Sequence, residues 1–153
     1  MLRTVLKYLL LTVCLAFLAG NAHGACTVTT TGASFGSYNT LSTTALDTTG
    51  QITISCTNFL QVVTVDIGRS SYSGTFNPRQ MQLATGSDLM NYNLYTNATR
   101  TNIWGDGTGG TSNVIRLVFR NNPVTLTAYG RIPASQDIST GAYSDTLVVT
   151  ITY

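Results

Sequence analysis

From residue 26 onward, hydrophobic and polar residues alternate with a period of two. The pattern is clearest over 145–153, where Leu147, Val149, Ile151 and Tyr153 fall on one face and Thr146, Val148, Thr150 and Thr152 on the other. Successive strand side chains point to opposite faces, so this run, rich in β-branched residues, predicts a long strand. Shorter runs of the same kind predict strands over 26–30, 51–56, 61–67, 90–95, 114–119 and 124–132. Between them lie clusters of Gly, Asn, Ser and Pro at 31–32, 47–50, 68–74, 77–78, 105–110, 121–123 and 139–141, residue types that turn a chain. No segment beyond the first two dozen residues holds a 3.6-residue period, and no internal repeat is evident. Strands of this length with turns at this spacing predict an all-β sandwich.

The N-terminus reads differently. Arg3 and Lys7 precede an apolar run over 8–18, followed by the small residues Ala19, Gly20, Ala22 and Gly24. That is the pattern of a secretory signal peptide, expected over 1–24 and leaving one domain over 25–153. Cleavage after Gly24 uses Ala22 and Gly24 as the small-residue sites; cleavage after Ala22 uses Gly20 and Ala22. The apolar run is shorter than the ~20 residues of a membrane span, and no later segment comes close to one.

Processing alters the charge. The full chain of 153 residues has 8 Lys+Arg against 6 Asp+Glu, with only 9% of residues charged. Without Arg3 and Lys7, the basic residues are Arg69, Arg79, Arg100, Arg116, Arg120 and Arg131, against Asp47, Asp66, Asp88, Asp106, Asp137 and Asp145. The expected mature chain is therefore neutral, without Lys or Glu, and its one His, His23, is removed or N-terminal. It has no basic surplus with which to bind nucleic acid, and no Ser-His or Cys-His nucleophile can be assembled. Pairs of aspartates could serve glycoside hydrolysis, but Asp106, Asp137 and Asp145 lie in or beside turns, where Asp ordinarily bonds local backbone. Gly105, Gly107 and Gly110 match GxGxxG formally, yet a strand follows where a dinucleotide site needs a helix. Asp88 and Asp106 lack the dense oxygen spacing of a calcium loop. No enzyme activity, metal or cofactor is expected, and the sequon at Asn97 carries no weight in a bacterial secretion context.

Cys14 leaves with the signal peptide, and Cys26 and Cys56 remain as an even pair in an oxidising compartment, which predicts a disulfide. A metal site there would lack further His or Cys ligands. Tyr92, Tyr95, Trp104, Tyr129 and Tyr143 fall in or beside predicted strands and are expected in the core. Tyr72, Phe76 and Pro123 fall in predicted loops and are candidates for an apolar adhesive patch. Arg100 and Arg131 are candidates for an Arg–Asp brace, with Asp145 as the acidic partner.

Several motifs together carry a resemblance: Asn-Tyr-Asn-Leu-Tyr at 91–95, Arg-Thr-Asn-Ile-Trp-Gly-Asp-Gly-Thr at 100–108, Tyr-Gly-Arg-Ile-Pro at 129–133, the whole run 141–153, and Cys-Thr-Val at 26–28 with a second Cys thirty residues later. Over 26–153 the chain resembles the spore coat protein U domain family, which includes subunits of archaic, Csu-type chaperone–usher pili. The resemblance implies an immunoglobulin-like sandwich without its last strand. The gap would be filled first by a periplasmic chaperone and then, after passage through an outer-membrane usher, by a donor strand from a neighbouring pilus subunit. Leu147, Val149, Ile151 and Tyr153 are the expected interface, because the sequence stops on that strand and leaves nothing to cover its edge. Polymerising pilins carry a donor extension of about fifteen residues, the length that fills a groove at ~3.3 Å per residue. Here only one to three residues would precede Cys26, so a terminal or tip position is expected. The alternative is a complete coat or carbohydrate-binding sandwich that needs no partner strand, with Trp104 or Tyr72 at its glycan site.

Overall fold

The computed structural model describes residues 24–153; the expected signal peptide lies almost wholly outside them. Nine strands form in chain order: β1 (Cys26–Thr31), β2 (Leu46–Cys56), β3 (Leu60–Ile67), β4 (Arg79–Leu83), β5 (Leu89–Tyr95), β6 (Val114–Phe119), β7 (Val124–Ile132), β8 (Tyr143–Ser144) and β9 (Val149–Thr152). They make a six-stranded sheet ordered β1-β2-β7-β5-β4-β8 and a three-stranded sheet ordered β6-β3-β9. All strand pairs are antiparallel. The alternation seen in the sequence becomes the two faces of each sheet. Ile52 and Ile54 of β2, Val63, Val65 and Ile67 of β3, and Leu126, Ala128 and Ile132 of β7 point into one shared core, together with Met81, Met90, Tyr92 and Leu94.

Three strand boundaries depart from the sequence expectation. β2 begins five residues early, because Leu46, Asp47, Thr48 and Thr49 pair with Ile132, Arg131, Gly130 and Tyr129 of β7; tertiary pairing overrides the turn composition of 47–50. β4 is an additional strand next to β5. The run 145–153, expected as one strand, is split. Tyr143 and Ser144 pair with β4 in the large sheet, whereas Val149–Thr152 pairs with β3 in the small one. The alternation survives the crossing, since Leu147, Val149 and Ile151 all pack against the core, but the chain changes sheets between 144 and 149.

Cys26 and Cys56 stand directly opposite each other at the ends of β1 and β2 and are joined in a disulfide. The Arg–Asp brace forms with a different acid from the one expected. Arg131 donates to both oxygens of Asp47, at 2.7 and 2.8 Å, because the two residues face each other across the β2–β7 ladder. Arg100 closes on the same carboxylate at 3.2 Å. Asp145 lies elsewhere, accepting from the Tyr92 and Ser71 hydroxyls.

The hydrogen bond from Arg131, followed by the charges of Arg100 and Arg131, holds the Asp47 carboxyl below its ordinary range despite some desolvation. Its native pKa lies below the unfolded value, so the stabilisation is complete above the unfolded pKa of ~3.9 and is lost as pH falls through the native one. Asp47→Asn is expected to cost about 0.5 kcal/mol at pH 7 and low salt, and less at high salt, because this cluster is partly exposed. Urea unfolding at pH 7 and at pH 3 checks it: the wild-type advantage should shrink at the lower pH.

Candidate functional site: an open interstrand groove

The two sheets do not close on every side. A groove of about 1070 Å³ opens between the end of β1 with the loop after it (30–40) and the segment 138–149 that carries β8 and enters β9. Its floor is the core itself: Ile52, Ile67, Met81, Met90, Tyr92, Leu94, Ala128 and Ile132, with Leu147 and Val149 on one wall. These side chains come from both sheets, so the groove is a gap in the sandwich core.

One wall ends in an unused strand edge. Among the described residues β9 pairs only with β3 and terminates the small sheet. The Gly68 N–H donates to the Val148 carbonyl at 2.8 Å, and backbone groups alternate direction along an antiparallel pair. The N–H and C=O groups of Val149 and Ile151 therefore point away from β3 toward the open side, while their side chains turn inward. Of the four residues expected at this interface, Leu147 and Val149 line the groove. Ile151 packs against the core beyond the groove, and Tyr153 is 51% exposed at the end of the strand.

A buried polar cluster stands beside the groove. Arg79 has no solvent exposure. Its guanidinium donates to the carbonyls of Ile67, Gly68 and Trp104 at 2.7 to 3.0 Å and to Asn93 Oδ1 at 2.8 Å. It ties the end of β3 to β4, β5 and the loop carrying Trp104. Burial lowers the Arg79 pKa, but the ordinary arginine value is so high that the group stays charged. The Tyr92 hydroxyl donates to Asp145 Oδ2 at 2.8 Å. Burial first, then this hydrogen bond and the carboxylate charge, push its pKa well above the ordinary phenol range, so Tyr92 remains a neutral donor that anchors the sheet-crossing segment.

The carboxylates are placed for local structure. Asp106 caps the backbone and hydroxyl of Thr108, and Asp88 accepts from the Ser139 backbone N–H. The glycine loop is a turn: Gly107 and Gly110 adopt φ of 83° and 79°, values that favour glycine. Among the described residues, no three His, Cys, Asp or Glu side chains gather as a metal site, and no helix is long and apolar enough to cross a membrane.

Two of the contact candidates are corrected. Phe76 is only 8% exposed, covered by the guanidinium groups of Arg69 and Arg79 at 4.9 and 5.5 Å from its ring centre, and so offers no surface. Trp104 is 1% exposed, with its indole N–H donating to the Val65 carbonyl, which removes it from any glycan site. Tyr72 and Pro123 are exposed, in the loop after β3 and in the β6–β7 turn.

A two-sheet antiparallel sandwich of this kind is an immunoglobulin-like fold. The chain belongs to the Spore Coat Protein U domain family, whose profile matches residues 12–150. Protein U of Myxococcus xanthus is 32% identical over 110 residues, covering 69% of this chain and 59% of that protein; the chain thus spans about three-fifths of that relative. Among solved structures, the fold matches a chain in the crystal structure of the CsuC–CsuE chaperone–tip adhesion subunit pre-assembly complex, from archaic chaperone–usher Csu pili of Acinetobacter baumannii. The TM-score is 0.59 at 16% identity, over 86% of this chain and 40% of that one. The Escherichia coli Hda pilus minor tip subunit HdaB is a looser likeness, at a TM-score of 0.43 and 14% identity over 82% of this chain and 79% of that one.

Proposed function

We propose that the protein is a non-enzymatic structural subunit of a chaperone–usher pilus or surface coat, secreted to the periplasm and assembled by accepting a β-strand along β9. The observation that carries this reading is the pairing of an apolar groove with an unused strand edge. A strand laid against β9 would bond to the outward backbone groups of Val149 and Ile151, and alternate side chains would enter the groove over Ile52, Met90 and Ile132. A periplasmic chaperone would supply that strand before assembly and a neighbouring subunit afterwards, with an outer-membrane usher between the two. Membership of the Spore Coat Protein U family supports this route over catalysis.

Expression with and without a cognate chaperone tests it. The secreted protein alone is expected to aggregate or be degraded, and to become soluble with the chaperone or a donor peptide. A soluble, cooperatively folding monomer whose melting temperature ignores both would overturn the reading. Val149→Pro gives a sharper version. It deletes one N–H on the open side while leaving the bonds to β3 in place, as proline is tolerated at sheet edges. Donor-peptide affinity should fall about tenfold, with fluorescence anisotropy as the readout. Cleavage after Gly24, checked by N-terminal sequencing of the secreted chain, would leave one residue ahead of Cys26 and hence an acceptor placed at a fibre end.

A further inference from the structure

On the side away from the groove, the outer face of the small sheet is apolar over β6 and the first half of β3, giving way to Thr64, Asp66, Thr150 and Thr152 toward β9. Ile115, Leu117 and Phe119 of β6 stand beside Leu60 and Val62 of β3 in register: Leu60 opposite Phe119 and Val62 opposite Leu117. Phe59 extends the row, edge-on to Phe119 with ring centres 6.4 Å apart. All six are exposed, from 44% for Phe119 to 80% for Phe59. Core packing does not require them, since the inward positions of the same strands are filled by Val63, Val65, Val114 and Val118.

Together these side chains present on the order of 600 Å² of apolar surface, at the upper end of the ~300–600 Å² usual for the largest patch on a monomer. Two such faces in contact would bury about 1,200 Å², the lower bound for a specific protein pair. No charged side chain stands among the six. The chain from residue 24 onward has equal numbers of Arg and Asp, so net charge does not drive two copies apart.

The open edge of β6 is less suited to the same contact. The Arg120 N–H donates to the Phe59 carbonyl, so the backbone groups of Ile115 and Leu117 alternate outward, away from β3. The Arg116 guanidinium folds back onto the Ile115 carbonyl at 2.8 Å, and charge laid along an edge discourages strand pairing. The edge is guarded and the face is bare.

We infer that this face is a self-association surface: a second copy of the chain packs against it face to face about a two-fold axis, with Leu117 and Val62 near the centre. The contact is separate from the groove, because β6 and β9 lie at opposite edges of the small sheet.

Sedimentation velocity over a 1,000-fold dilution series tests this, on the full secreted chain with its groove filled by chaperone or donor peptide. The wild type is expected to show a concentration-dependent doubling of the assembly. Val62→Lys combined with Leu117→Lys should weaken association at least 100-fold while leaving far-ultraviolet circular dichroism and donor-peptide binding unchanged. Arg116→Ala, which removes the charge laid along the β6 edge and leaves the six apolar side chains in place, should associate as the wild type does. A single unit at every concentration, or an association untouched by the double lysine variant, overturns the inference. A tighter association in Arg116→Ala would assign the contact to the edge and also overturn it. Donor-peptide binding is the separate readout of the groove, so either conclusion can fail without the other.

Discussion

Arg79→Met is expected to cost the fold about 4 kcal/mol or more and to shift thermal unfolding down by roughly 15 °C. The size follows from what is left behind. Arg79 satisfies the carbonyls of Ile67, Gly68 and Trp104 and the side chain of Asn93 from a fully buried position. Methionine keeps the apolar stem, is shorter and donates nothing, and each buried acceptor left unpaired costs ~1–3 kcal/mol. Replacing a buried ion pair by apolar residues can be neutral because both partners leave together. Here the acceptors are mainly backbone and cannot leave. Arg79→Lys should recover only part of the loss, since a compact ammonium with three donors cannot span the fork. Differential scanning calorimetry on the peptide-filled protein decides it; a melting temperature within a few degrees of wild type would show that water or rearranged neighbours satisfy those groups.

The second large effect concerns the disulfide. Cys26→Ser with Cys56→Ser is expected to cost ~3–4 kcal/mol, the chain-entropy value for a loop spanning a separation of 30 residues. The loss should appear mainly as faster fraying of β1, because among the described residues β1 pairs only with β2 and its outward residues are exposed. Hydrogen exchange should therefore accelerate at Thr27 to Thr30 well before β7 is affected. Uniform acceleration through the large sheet would mean that the bond stabilises the whole domain and not its first strand.

Much of this fold was legible because a half-buried strand writes its two faces into the sequence. The inward and outward positions of β3, β7 and the C-terminal segment follow the period-two pattern, and the disulfide followed from counting cysteines. What the pattern could not carry was the assignment of strands to sheets. Alternation is the same for a strand that stays in one sheet and for one that crosses between two, so 145–153 reads as a single element. Asp47 looked like a turn residue among Thr and Gly, and only the register of β2 against β7 placed it opposite Arg131. Arg79 gave no local signal either: an arginine following Asn-Pro reads as surface, and its burial depends on three carbonyls brought from other segments. Phe76 was misplaced because the conformation of its own loop, which lays Arg69 and Arg79 over its ring, is not written in the alternation pattern. The bare face of β6 and β3 was present in the sequence as Phe59, Leu60, Val62, Ile115, Leu117 and Phe119, but it becomes a single surface only once those two strands are paired.

The crossing of the C-terminal segment has a mechanical consequence. Ser144 is bonded into the large sheet, Val149 into the small one, and Asp145 between them is fastened to Tyr92. A pull applied through a strand lying beside β9 would load the β9–β3 bonds in shear, where they resist together instead of opening one by one. The same pull passes through the strap at 145–148 to β4, so the load is shared by both sheets.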